Sequence, residues 1–335
     1  MYTYEVIISR APLRISLAGG GSDLPAFYRE EAGRVLSFSI NKYVYIVAHE
    51  LFQGGIRLSY SQTEYVNNPT EIQHPIIRET FLENGFRGAI EIGSFADVPG
   101  TGTGLGSSSA FCVALLNALI KINPENEHLT NSSKFLAETA CKIEINRCKQ
   151  QIGKQDQFAS AYGGLNIIEF FPNEAVEVSE ISNQKSLKPF LNSSLLLFYL
   201  GFGRPSSELL KAQSNQIARK KSEFNAIRTI KEIVPAMEES IRNLDSRAVG
   251  ELLTQSWKLK SSTSKNISSP LIERALKSAI NLGAYGGKVI GAGGGGFILL
   301  SVDPNHRNEF IKAFPFRQLP FEISDTGAEI IHHSN

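Results

Sequence analysis

The sequence predicts an α+β protein built from two domains. Segments that read as strands and segments that read as helices come in blocks (strands, helices, strands, helices, strands) rather than in strict βαβ alternation. The chain has 335 residues, long enough for more than one domain. Its composition, 42% hydrophobic and 20% charged, is that of an ordinary globular protein. A change of pattern between Gly164 and Phe190 sets the division, with residues 1–175 expected as the first domain and 176–335 as the second.

In the first sixty residues, "YEVIIS", "LRISL", "RVLSF", "YVYIVAH" and "IRLSY" are short, rich in β-branched and aromatic residues, and separated by Gly, Pro or Asn. "GAIEIGSF" alternates at Ile90 and Ile92 as a half-exposed strand does. From Ser108 to Ile120 the chain is apolar nearly all round, which predicts a buried helix. A second helix is expected from about Ser132 to Cys148, with Phe135, Leu136, Thr139, Ala140 and Ile143 as its stripe and Asn131 as its N-cap. "GKQDQFASAYGGLN" breaks the pattern, and the strands "NIIEF", "AVEVS" and "SLLLFYL" follow. Two or three polar-faced helices are expected across Ser206 to Thr254, and "KLKSSTSKNISSP" (Lys258 to Pro270) reads as a polar loop. A helix from Pro270 to Gly283 leads into strand, glycine loop and strand ("KVIGAGGGGFILLSV") and a last strand, "GAEIIHH".

Lys+Arg is 34 and Asp+Glu is 33, a formal net charge of +1, which does not point to nucleic acid or a membrane surface as partner. No apolar run of about 18 residues predicts a spanning helix. Three cysteines, Cys112, Cys141 and Cys148, lack metal-type spacing and suit a reducing compartment. With no signal-peptide pattern in the first residues, a cytoplasmic protein is expected.

Three glycine-rich stretches carry chemistry. In "VPGTGTGLGSSSAF", Gly102, Gly104 and Gly106 alternate with Thr103 and Leu105, and Ser107, Ser108 and Ser109 open a helix. Unpaired N–H groups at a helix start attract an anion, and glycines allow close approach of a phosphate. A P-loop would place a lysine here, and there is none; on the residues alone a serine-capped turn also fits. In "APLRISLAGGGSDL", a strand bearing Arg14 runs into Gly19, Gly20 and Gly21 and then Asp23, which reads either as a ligand-clearing turn or as a helix cap. "GAGGGG" (Gly291 to Gly296) matches the dinucleotide fingerprint formally. "FILLSV" after it is a strand where the fingerprint needs a helix, so NAD binding is rejected.

In chain order (the Arg14 strand with its glycine turn, then the loop before the buried helix, then "GAGGGG") these three stretches resemble the GHMP kinases, the superfamily of galactokinase, homoserine kinase, mevalonate kinase and phosphomevalonate kinase. "GGGSD" departs from the Gly-Glu-His-Thr-Asp run of galactokinases, which counts against galactose. "RAPLRISLAGGGSDLPAFY", "INRCKQQIGKQDQFASAYGGLN" and "GAYGGKVIGAGGGGF" look most like the D-glycero-α-D-manno-heptose 7-phosphate kinases, with bacterial L-fucose kinase domains as near relatives. The resemblance implies an N-terminal α+β domain and a C-terminal ferredoxin-like domain with the active site between them. It implies ATP held by Gly102 to Ser109, and Mg²⁺ held by Ser108 and Glu144. It also implies Asp156 as the catalytic carboxylate and Arg14 as the basic residue beside it. Arg14, Gly20, Gly21, Asp23, Asp156, Gly293 and Gly294 would then border the substrate. On the residues alone, Glu144 fits a solvated helix face and Asp156 a turn or helix cap. A phosphorylated sugar needs a further cation; Arg204 is the first candidate, with Lys154, Lys260 and Lys288 beside it, although an exposed loop arginine fits equally. The partners implied are ATP and a sugar phosphate, and a homodimer is compatible with the sequence.

Overall fold

The computed structural model describes residues 6–100, 102–123, 132–201, 206–263 and 267–334. Its first sheet is organised by two long antiparallel strands, β1 (Val6–Ala18) and β2 (Gly33–Glu50). The sequence predicts four strands here because Pro12 and Asn41 look like breaks. Instead they share one bulge: Pro12 faces Tyr43, Leu13 faces Ile40, and Asn41 and Lys42 are passed over. A bulge is where a strand tolerates a proline, which has no N–H to give the ladder. Asn41 also accepts from the Glu322 N–H through its side chain and donates its own N–H to the Glu322 carbonyl, pinning a distant segment to the bulge.

The bulge also divides the neighbours of β2. Gly33 to Phe38 pair with β6 (Leu165–Phe170), which pairs in turn with β7 (Val176–Glu180). Val44 to Glu50 pair with β5 (Ile90–Ala96), and β3 (Ile56–Ser59) and β4 (Thr63–Val66) continue from it. On the other side β1 takes β12 (Glu329–His333). A second, antiparallel sheet has the order β11 (Arg317–Gln318), β8 (Leu195–Gly201), β10 (Gly296–Ser301), β9 (Gly286–Val289). The division expected at 175/176 thus runs through the β6–β7 hairpin. The change of sheet comes between β7 and β8, and the last strand returns to the first sheet.

Strand β8 shows why the two layers are inseparable. Leu195 and Leu197 face the core shared with the first sheet, whereas Leu196, Phe198 and Leu200 face a second core with Trp257, Ile272, Phe310 and Phe314. A strand buried on both faces reads as a continuous apolar run, which is what "SLLLFYL" is.

Helix α1 (Pro25–Tyr28) follows the first glycine turn, and α2 (Pro75–Asn84) packs on α3 (Ser107–Ile122). Helix α3 lies on β1 and β2 and is buried along nearly its whole length, as its composition requires. Helix α4 (Ser133–Cys141) is capped by Ser132, whose hydroxyl accepts from the Phe135 N–H at 3.2 Å; the expected cap, Asn131, lies outside the described residues. The single helix predicted to Cys148 does run that far, but its last stretch, Lys142–Arg147, is wound as a π-helix with Cys148 as its C-cap. Helix α5 (Gln155–Tyr162) occupies the stretch that broke the pattern. Helix α6 (Gln184–Ser194) leads into β8.

Helices α7 (Ser206–Arg219), α8 (Lys221–Arg242) and α9 (Ser246–Ser262) follow, and α8 buries Ile227, Ile230, Val234, Met237 and Ile241 at helical spacing. Ile217, Ile227 and Ile230 close over Leu24 and Phe27, so α7 and α8 roof the first glycine turn. Helix α9 runs on through Lys258 to Ser262, five residues that the sequence reads as loop; Leu259 packs on the core and Lys260 is buried, so two inward side chains hold this polar stretch in the helix. Helix α10 (Pro270–Asn281) is capped by Ser269, and α11 (Arg307–Ala313) completes the layer.

The second and third glycine stretches meet backbone to backbone. A Cβ added to Gly104 would lie 2.2 Å from the Ile290 carbonyl oxygen, and one added to Gly291 would lie 2.4 Å from the Gly104 Cα. Both glycines have left-handed backbone, with φ of 75° and 73°. Gly104→Ala is therefore expected to lose about 1–2 kcal/mol from backbone strain and more from the clash. Gly54→Ala, equally left-handed at φ 81° but facing open space, isolates the backbone part. Thermal unfolding of the two variants measures the difference, and equal shifts would mean that the loops are not locked together.

Candidate active site

The cleft is a cavity of about 450 Å³ lined by all three glycine stretches. Gly102, Gly104 and Gly106 have φ of 71°, 75° and 78°, alternating with the buried Thr103 and Leu105. Alternation of this kind turns successive N–H groups toward one side and forms an anion-binding concavity. Gly106 is the N-cap of α3 and gives it no side-chain cap, so the first N–H groups of the helix remain for a ligand. Ser107, Ser108 and Ser109 line the same wall.

Arg14, buried on β1, joins three elements. Its Nε donates to Asp156 Oδ1 at 2.7 Å, its Nη2 lies 2.6 Å from the same oxygen, and its Nη1 donates to the Gly104 carbonyl at 2.6 Å. Its backbone N–H donates to the Leu105 carbonyl at 3.0 Å. Asp156 sits in the first turn of α5, where a carboxylate meets the positive end of the helix. The bare face of Gly106 lies against its other oxygen, where a Cβ would come within 3.2 Å. One carboxylate oxygen is thus held by the guanidinium while the group as a whole faces the cleft.

Asp23 does not cap α1, the helix that follows it; its Oδ2 instead accepts from the Gln155 N–H at the start of α5, at 3.4 Å. Its Oδ1 accepts from the Gly21 N–H at 2.9 Å, so the turn folds back on itself and presents the carboxylate to the cleft. A Cβ at Gly153 would fall 1.8 Å from Asp23 Oδ2; the glycine there makes room for the carboxylate. Burial, and then the nearby Asp156 charge, push the Asp23 carboxyl above its usual range.

Glu144 departs furthest from its reading as a solvated helix face. The π-turn rotates it inward until it is 0% exposed. Ser108 Oγ donates to its Oε1 at 2.8 Å and Gln157 Nε2 to its Oε2 at 2.6 Å. Burial dominates those hydrogen bonds and raises its pKa to about 7. Among the described residues no cation lies within 4.0 Å of it. A buried carboxylate without a cation, behind a hydroxyl that faces the cleft, fits a hard divalent ion completed by phosphate oxygens. Among the described residues no group of three or more His, Cys, Asp or Glu side chains forms a closed metal cage.

Of the other expected residues, Gly20 and Gly21 line the cavity. Gly293 and Gly294 are not among its lining residues: the bare face of Gly293 is against Ile267, and the Gly294 N–H donates to the Ile267 carbonyl at 2.7 Å. Gly291 and Ala292 take the expected place on the wall. Leu105 is wholly buried and contributes backbone, and Arg204 lies outside the described residues. Lys154 is taken up by Glu174 at 2.7 Å and by the Tyr28 ring. Lys260 and Lys288 both reach the cavity. Gln150 and Gln155, inside the stretch around Asp156 but given no role from it, also line the cavity, as do Leu210, Gln213 and Ser256, which lie in none of the quoted stretches.

A carboxyl whose folded pKa is about 7, against an ordinary 4.5, keeps a proton that the unfolded chain gives up between those values. Stability therefore falls as pH rises from about 4.5 to about 7 and stays lower above that. Glu144→Gln removes the charge, and Gln157, whose Oε1 has no partner, can turn to receive the new amide. In EDTA the variant is expected to be more stable than the parent at pH 8, by up to about 3 kcal/mol, with the gap closing toward pH 5. Denaturant unfolding at both pH values checks this; a pH-independent gap would remove the buried charge as its cause.

Residues 74–164 match the GHMP kinases N terminal domain and residues 237–318 the GHMP kinases C terminal domain. A D-glycero-alpha-D-manno-heptose 7-phosphate kinase of Campylobacter jejuni is 28% identical over 324 residues, covering 92% of this chain and 93% of the relative. The crystal structure of a D-glycero-D-manno-heptose 1-phosphate kinase from Bacteroides thetaiotaomicron matches with a TM-score of 0.78 at 25% identity, over 98% of this chain and 99% of that one. Lactococcus lactis galactokinase, at 15% identity and a TM-score of 0.74 over 97% and 95% of the two chains, shares the fold. Both halves of the family, the two-domain fold and the glycine-loop cleft between its sheets are present in one chain, which belongs to the GHMP kinase superfamily of ATP-dependent phosphotransferases.

Proposed function

We propose that this enzyme transfers the terminal phosphoryl group of ATP to the anomeric hydroxyl of D-glycero-α-D-manno-heptose 7-phosphate, giving the 1,7-bisphosphate for nucleotide-activated heptose and surface polysaccharide. The observation that carries the reading is Arg14, which binds Asp156 and the Gly104 carbonyl at once and so fixes a carboxylate against the anion-binding loop. Support for the substrate comes from the heptose 7-phosphate kinase of Campylobacter jejuni, alignable over 92% of the chain.

In this reading the N–H groups of Gly102 to Ser109 hold the ATP phosphates at the start of α3. Asp156 orients the anomeric hydroxyl and accepts its proton as the phosphoryl group leaves ADP. Arg14 holds that carboxylate in place, and it offsets negative charge on the group in transit. Asp23, held by the Gly21 turn, accepts hydrogen bonds from sugar hydroxyls, and Gly20 and Gly21 let the sugar approach the backbone. Ser108 and Glu144 would hold Mg²⁺, which neutralises phosphate charge when bound.

Asp156→Asn is expected to lower kcat by roughly 10²–10⁴ with little change in KM for ATP. Single-turnover and steady-state assays read this, and near-full activity would remove Asp156 from the mechanism. Glu144→Gln is expected to raise the Mg²⁺ concentration needed for half-maximal rate while sugar binding changes less; an unshifted Mg²⁺ titration would overturn the ligand pair.

The substrate is decided by ADP release with Mg·ATP across heptose 7-phosphate, mannose 6-phosphate, L-fucose, galactose, mannose and homoserine, with phosphorus NMR of the product. A new anomeric phosphate on the heptose alone is expected. Turnover of a free sugar such as L-fucose would keep the kinase and discard the heptose.

A further inference from the structure

Two lysines in the cleft are not used by the mechanism above. Lys260, on α9, is 9% exposed, and Lys288, on β9, is 5% exposed; both line the cavity that holds Arg14, Asp23 and Asp156. Each ammonium is bonded to a backbone carbonyl, Lys260 to Gly291 at 2.5 Å and Lys288 to Leu17 at 3.2 Å. Among the described residues neither has a carboxylate within 4.0 Å. Among the described residues, charged groups lining the cavity number three cations and two carboxylates, and Arg14 is already taken up by Asp156. Asp23 and Asp156 act on Lys260 only from beyond ion-pair distance, and a buried ammonium without a direct partner is costly, so two on one wall call for an anion there.

The nucleotide does not supply that anion. Its phosphates are served by the loop N–H groups, the serine hydroxyls and the Ser108–Glu144 pair at the start of α3. A neutral sugar does not supply it either, since hydroxyl groups need no pair of buried cations. We propose that Lys260 and Lys288 form a phosphate subsite that holds the phosphate ester already carried by the acceptor, and so select phosphorylated over free sugars. This rests on the reading of the chain as a sugar kinase. It assigns the distal cation to α9 and β9 rather than to Lys154, which Glu174 occupies. The electrostatics agree: burial, and for Lys288 also the Lys260 charge, lower the two ammonium pKa values to about 8 and about 7, and an incoming dianion reverses that direction.

The test uses Lys260→Met, Lys288→Met and the double variant, which keep an unbranched side chain of nearly the same length and remove buried charge. With heptose 7-phosphate, each single variant is expected to raise KM roughly 10–100-fold, the range for loss of a charged hydrogen bond. Kcat is expected to stay within a few-fold and KM for ATP to stay unchanged. With the same heptose lacking its phosphate, parent and variants are expected to be alike, so that the preference for the phosphorylated acceptor collapses. Equal losses of kcat on both acceptors, or an unchanged KM for the phosphorylated one, would overturn the subsite.

A second measurement does not depend on the heptose being the substrate. Protein saturated with a non-hydrolysable ATP analogue is titrated with inorganic phosphate and with mannose 6-phosphate, and thermal unfolding is followed. Stabilisation of the parent but not of the double variant supports the subsite even where the heptose fails as acceptor. Equal stabilisation of both, or none in the parent, overturns it while leaving the kinase reading intact.

Discussion

The buried guanidinium of Arg14 is the interaction on which the cleft depends. It is planar, always charged and able to donate in several directions, and all of these properties are used: toward Asp156 on one helix, toward the Gly104 carbonyl on the loop, and along the strand it rises from. A lysine in its place would give one point of attachment where three elements must be held. Since one oxygen of Asp156 is fixed by this contact, the distance from that carboxylate to the anion-binding loop is set before any ligand arrives. That is the preorganisation phosphoryl transfer asks for, because its catalysis is mostly positioning and charge.

Glycine does the complementary work of closing distance. The loop before α3 and the loop between β9 and β10 touch through backbone atoms alone, which no residue with a Cβ permits at Gly104 or Gly291. This contact spans the two sheets. It brings Gly291 and Ala292, and with them Lys260 through the Gly291 carbonyl, to the wall facing Asp156. The mixed core below does the same with side chains, since alternate residues of β8 serve different clusters.

Buried charge marks what the fold maintains at a cost. Glu144, Asp23, Lys260 and Lys288 each lie where water does not solvate them, and each is displaced from its ordinary pKa in the direction burial dictates. A fold under no other demand would replace such groups by apolar ones of similar size. Here they surround a cleft lined by the glycine loop, and the proposed reaction gives both the carboxylates and the ammonium groups a chemical use in it. Among the described residues no helix is long and apolar enough to cross a membrane.

The amino-acid sequence by itself determined the α+β class, the buried helix after the glycine loop, and the strand that follows Gly296. These depend on local periodicity and on glycine, whose signals extend over a few residues. Through its resemblance to the GHMP kinases it also marked Arg14, Asp156 and the loop from Gly102 to Ser109, because motifs can be matched without knowledge of what faces what. Only the tertiary structure decided the rest. Pro12 looks like a break until its partner strand supplies a bulge. Glu144 looks solvated until a π-turn, a shift of one residue in backbone pairing, rotates it through the helix into the interior. Lys260 falls in a polar run that reads as a loop until packing of Leu259 and burial of Lys260 keep that run helical. Each of these depends on an atom more than ten residues away, and local pattern carries no information about such a neighbour.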